Sequence, residues 1–79
     1  MTVVQLPTFE GYTVDLRLKQ FRKAIPGKTL EFVSFDSPEG KRMVARYAYD
    51  LGQRYAKAQS ALEMEENLKE MRALDEATR

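Results

Sequence analysis

The side chains that could carry acid–base chemistry in this chain are the carboxylates Glu10, Asp15, Asp36 and Glu39. They would work with lysines or tyrosines, because the chain has no His and no Cys. General acid–base catalysis leans most often on His, and nucleophilic catalysis on a Ser, Cys or Thr beside a base. Ser34, Ser37 and Ser60 have no such base in the sequence. The four carboxylates stand at turns and helix starts, where acidic residues cap and complement the helix dipole. The glycines Gly11, Gly27, Gly40 and Gly52 are isolated, so no phosphate-cradling loop is present. A carboxylate-only Mg²⁺ site needs no special spacing, and nothing here marks one. The residues therefore point away from an enzyme, and they imply no cofactor and no metal.

Binding chemistry is better represented. Arg42, Arg46, Tyr49, Gln53 and Lys57 recur at helical spacing. That spacing makes a basic stripe with an aromatic inside it, suited to phosphates and to stacking or hydrogen bonding. The alternative is a salt-bridged exposed face, since Asp50 stands four residues from both Arg46 and Arg54. A second basic group contains Arg17, Lys19, Arg22, Lys23 and Lys28. Phe9 and Tyr12 flank Glu10-Gly11 in a leading loop. They read either as a clasp over the core or as a partner contact. The candidate partner-binding residues are thus Arg22, Lys23, Arg42, Arg46, Tyr49, Lys57, Phe9 and Tyr12.

These residues must be positioned by a small body. The chain has 79 residues, 13 basic and 12 acidic, for a net charge of +1. Residues 16–57 carry ten basic against four acidic residues, whereas residues 58–79 carry three against six. A basic middle and an acidic tail suggest an anionic partner or head-to-tail association, although a solvated charged surface accounts for the same asymmetry and is the preferred reading. A core of this size supplies only about 3–5 kcal/mol, and small domains lean on disulfides, metals or partners. Without Cys, disulfides are excluded, leaving a homodimer or a subunit docked on something larger. No basic leader and no long apolar run is present, so the cytoplasm is the default compartment and no membrane span is expected.

Residues 1–12 read as an extended lead-in, in which Val3, Val4 and Leu6 could add an edge strand. Val14, Leu18, Phe21 and Ile25 fit a helix with Thr13 as its cap. Val14, Leu16 and Leu18 also fit a strand by alternation. The helix is favoured because it accounts for Phe21 and Ile25. Pro26-Gly27 ends the segment. Thr29–Phe35 is the clearest strand, with Leu30 and Phe32 on one side and Val33 and Phe35 on the other. Its neighbour must be the lead-in, the 13–24 segment or the same strand of a second copy. Ser37, Pro38 and Glu39 open a helix. Val44, Tyr47, Ala48, Leu51, Tyr55, Ala58 and Leu62 form its apolar stripe. That helix breaks near Gly52, with a restart at Ser60, or runs unbroken to residue 76 as a rod of about 58 Å.

The run Phe9–Lys23, followed by Glu31-Phe32 and by Phe35–Gly40, resembles a group of small prokaryotic proteins sharing that core. The resemblance covers about residues 9–40 and implies no activity, ligand or site residue. The C-terminal helical part departs from the shorter members and reads as an added interaction arm. The expectation is a single α+β domain with a 13–36 core segment and a helical arm over 37–77. Its expected function is a non-enzymatic interaction module that docks on a larger protein or nucleoprotein. One concrete version is an inhibitor or accessory subunit from a mobile element. The alternative is a nucleic-acid-binding regulator using the basic helical face. A ribbon-helix-helix arrangement fits poorly, because Glu31 and a strand apolar on both sides do not suit a DNA groove.

Overall fold

A computed structural model describes residues 6–27 and 29–79. The fold is α+β. A four-stranded antiparallel meander is followed by two helices: β1 (Thr8–Phe9), β2 (Tyr12–Asp15), β3 (Gln20–Ala24), β4 (Leu30–Ser34), α1 (Pro38–Lys57) and α2 (Ala61–Ala77). The sheet order is β1-β2-β3-β4, so each strand pairs with its neighbour in sequence.

The turns follow from local chemistry. Glu10 and Gly11 both adopt positive φ, 51° and 81°, and they form a two-residue loop between the paired Phe9 and Tyr12. Two successive left-handed residues match the twist of antiparallel strands. Between β2 and β3, the Asp15 carboxylate accepts the Leu18 amide at 3.0 Å, and Lys19 takes φ 54° to enter β3. Gly27, at φ 73°, follows Pro26 in the β3–β4 connection.

Residues 14–24 are therefore a strand pair and not the favoured helix. Val14 lies directly across from Phe21 in the β2–β3 register. A hairpin register seven residues apart puts both side chains on one face, which mimics two turns of helix. Leu18, which the helical spacing placed on the apolar side, sits in the turn and is 63% exposed. The neighbour of β4 is β3, with Phe21 across from Val33.

Val14, Phe21 and Val33 make one cross-strand row on the face that meets the helices, and Phe35, Met43, Tyr47, Leu51 and Leu74 complete the buried core. Phe21 and Phe35 pack with ring centroids 4.9 Å apart. α1 begins as its sequence predicts. Ser37 caps it by accepting the Gly40 amide at 2.9 Å, and Pro38 occupies the first turn. The buried stripe of α1 is Gly40, Met43, Tyr47 and Leu51. It is rotated from the expected stripe toward Met43, and Tyr55 and Leu62 are exposed. The helix does not stop at Gly52 and is not a rod. It ends at Lys57, Ala58 turns to extended backbone, and Ser60 restarts the chain by accepting the Glu63 amide at 3.2 Å. The chain folds back so that Met71 and Leu74 pack over the core. α2 buries Leu74 alone.

Candidate interaction surface

The pleat assigns each strand residue to a face. Val14, Phe21 and Val33 point to the helices. Their neighbours Thr13, Arg22 and Phe32 form the matching row on the opposite face, and Asp15, Gln20 and Ser34 form the next one. No helix packs on that second face among the described residues. Its inner strands are polar. Arg22 reaches Asp15 at 3.2 Å across β2 and β3, and Asp15 is nearly buried. The Arg22 Nε is buried and finds no acceptor. The apolar residues of the open face gather on β4, where Leu30 is 51% exposed and Phe32 54% exposed. The strand apolar on both sides is thus covered on one side only.

β4 is also an edge. The Phe35 amide donates to the Lys19 carbonyl at 2.9 Å, continuing the β3–β4 register by one residue. Hydrogen-bonded pairs alternate along an antiparallel ladder. Val33 and Glu31 therefore bond inward to β3, while Leu30, Phe32 and Ser34 turn their main-chain groups outward. The Ser34 carbonyl is taken, because it accepts from the Ser37 amide at 3.2 Å and from the Ser37 hydroxyl at 2.7 Å. Gly40 seats against the same carbonyl, leaving no room for a Cβ. The first turn of α1 thus closes that end of the edge. Leu30 and Phe32 keep their amides and carbonyls without main-chain partners among the described residues.

The residues singled out from sequence are distributed over several surfaces. Phe9 packs on Tyr47 at 5.2 Å between centroids, and Tyr12 meets Phe21 edge-on at 6.4 Å. Both aromatics are clasps over the core. The Tyr12 hydroxyl donates to Glu31 at 3.0 Å, and the Lys23 ammonium lies 5.4 Å from the Tyr12 ring. The hydrogen bond to Glu31 raises the Tyr12 pKa, because it favours the protonated phenol. Lys23 therefore lies on the helix side of the sheet and Arg22 on the open side.

Arg46 pairs with Glu10 in the β1–β2 turn rather than with Asp50, through Nε at 3.1 Å and Nη2 at 2.8 Å. Asp50 instead pairs with Arg54 at 2.9 Å. Arg42, Tyr49 and Lys57 stay on the exposed side of α1, with Tyr49 71% exposed. Lys57 borders an open cleft between the helices, where Asp50, Arg54, Glu63 and Glu66 mix both signs of charge.

Among the described residues no three His, Cys, Asp or Glu side chains gather closely enough to hold a metal ion. No helix there is long and apolar enough to cross a membrane. The expected strand at Val3 and Val4 lies outside the described residues, and Leu6 is not in a strand. Sequence reasoning did not name Leu30 and Phe32 as contact residues. The available signal was their shared side on a strand whose other side was also apolar. No family model, curated protein or solved structure matches the chain.

Proposed function

We propose that the protein is a non-enzymatic interaction module that docks on another protein chain through β4. The observation that supports this is the pairing of two features on one strand. Leu30 and Phe32 expose half of their apolar surface, and the same two residues hold the main-chain groups that β3 leaves unused. An exposed edge with apolar side chains is a template for strand addition, in which main-chain hydrogen bonds supply affinity and alternate side chains supply specificity. An inhibitor or an accessory subunit is the kind of protein such a surface serves. The test is capture from nuclease-treated lysate of the source cells, comparing the wild type with a Leu30→Lys, Phe32→Lys double variant. Both side chains are half exposed, so the fold tolerates lysine there. Loss of a stoichiometric protein partner in the variant supports the reading, and unchanged capture overturns it.

A second reading is favoured by Tyr49, the most exposed large hydrophobic among the described residues, which lies between Arg42 and Lys57 on the outer side of α1. On this reading the helical face binds nucleic acid. Affinity then falls by about 0.9 log units per log unit of salt for each phosphate contact. An Arg42→Ala, Arg46→Ala variant that keeps the wild-type affinity and salt slope removes this reading.

A further inference from the structure

We infer that β4 pairs with β4 of a second copy of this chain, antiparallel about a two-fold axis at Glu31. The inference rests on the reading of β4 as the docking strand and names its occupant.

The main chain selects the register. A two-fold antiparallel pair must place one residue opposite its own copy. Centring on Glu31 sets Leu30 opposite Phe32 of the second copy, and Phe32 opposite its Leu30. Both are outward-bonding positions, so each pair exchanges two hydrogen bonds. The four bonds use every free amide and carbonyl of Leu30 and Phe32 on both chains. Centring on Phe32 instead pairs Leu30 with Ser34, whose carbonyl Ser37 already occupies and whose flank α1 closes.

The side chains agree with that register. On the open face, two Leu30 and two Phe32 side chains form one apolar strip, each leucine directly across from a phenylalanine. Aromatic–aliphatic cross-strand pairs of this kind contribute about 0.2–1 kcal/mol each. Face-to-face packing of two open sheets fits less well, because it would bury Asp15, Arg22 and Gln20 against their own copies. Edge pairing leaves those groups at the rim. The cost falls on the helix side, where Glu31 opposes its own copy. Each Glu31 carboxylate is drawn toward β2 by the Tyr12 hydroxyl, away from the axis.

The experiment is sedimentation equilibrium of the wild type and of Phe32→Pro, with circular dichroism on both. The Phe32 amide is unused within one chain, so proline there spares the β3–β4 ladder but removes two of the four intermolecular bonds. Dimerisation weakens by about 30-fold or more, while the spectrum is unchanged. Val33→Pro calibrates the comparison, because its amide belongs to the ladder and its loss unfolds the sheet. The absence of native Cys makes a cysteine readout clean. Glu31→Cys places two thiols at a non-hydrogen-bonded pair about 4.5 Å apart between Cα atoms, within disulfide reach. Mild oxidation gives a covalent dimer. Thr29→Cys, about 14 Å from its own copy in this register, does not cross-link. Glu31→Gln tightens the dimer by removing the like charges. A wild type that stays monomeric at every concentration, a dimer that survives Phe32→Pro, or a Glu31→Cys variant that fails to cross-link overturns the inference. If it falls while the Leu30→Lys, Phe32→Lys variant still loses a captured protein, β4 remains a docking strand for a different chain. If capture is also unaffected, both readings fall.

Discussion

Gly40 lies against the main-chain carbonyl of Ser34 so closely that a Cβ built on it would overlap the oxygen and press on the Ser37 hydroxyl. The obstacle is backbone, so it cannot swing aside. Gly40→Ala must push α1 away from the end of β4, at a cost of about 1–3 kcal/mol or more. Gly52 is the internal control. It also lies in α1, but nothing stands within 4 Å of an added Cβ. Gly52→Ala stabilises by about 1 kcal/mol through helix propensity. Urea denaturation of the two variants is expected to move the midpoint in opposite directions.

Tyr47 couples stability to alkaline pH. Burial, reinforced by the nearby Glu70 carboxylate, pushes its phenol from 10.0 up to about 12. A folded-state value above the unfolded one means that the native state holds its proton longer. The associated stability is fully present below pH 10 and is lost as pH rises from 10 to about 12. Its size is on the order of 2 kcal/mol. Tyr47→Phe removes this loss, so the stability of wild type minus variant should fall across that window. Absorbance titration should show a phenol ionising near pH 12 in the wild type that is missing from Tyr47→Phe.

Ser37 and Ser60 cap the two helices with different numbers of bonds. Ser37 both accepts from the Gly40 amide and donates to the Ser34 carbonyl, whereas Ser60 accepts only from the Glu63 amide. Replacing an N-cap serine by alanine costs about 1 kcal/mol. Ser37→Ala should cost more than Ser60→Ala in thermal unfolding. The Ser60 variant should chiefly speed amide hydrogen exchange in the first turns of α2.

Leu74 is the one fully buried residue of α2, with Met71 and Ala77 packed half-buried beside it. Leu74→Ala removes the buried side chain, with a cost of about 2–4 kcal/mol. Leu62→Ala, at a residue 65% exposed on the same helix, should change stability by less than about 0.5 kcal/mol. Chemical denaturation of the pair measures the contrast directly.

Asp15 serves two partners, the Arg22 guanidinium and the Leu18 amide. Asp15→Ala loses both and leaves a half-buried cation whose Nε already lacks an acceptor. It should cost about 2–3 kcal/mol, more than Arg22→Ala, and the double variant should cost less than the sum of the two.

The parts of the fold legible in the sequence were those written by local chemistry. Ser37-Pro38-Glu39 and Ser60–Glu63 carry helix starts in three and four residues, and Leu30–Ser34 carries its strand in composition. The β2–β3 hairpin was harder. Its four-residue turn separates Val14 from Phe21 by seven, a spacing shared by helix and hairpin, and only the partner strand distinguishes them. The rotation of the α1 stripe depends on Gly40 seating against Ser34, a long-range fit with no sequence period. For the surface, the pairing of Arg46 with Glu10 links residues 36 apart and could not be read from i,i+4 rules. The exposure of Leu30 and Phe32 depends on both helices choosing one face of the sheet. Neither helix states that choice in its own residues.

The sequential strand order makes this a rapid folder. Each strand closes on the one just before it through loops of two to five residues. Loop closure on that scale takes about 10–100 ns, and hairpins form in about 1–10 µs. No strand has to wait for a distant segment, so relative contact order is low and refolding is expected in the millisecond range or faster. On a ribosome the same order lets the sheet assemble from its first hairpin outward. β4, the strand with the open edge, is the last to join, and α1 follows at once to cover the helix-facing side.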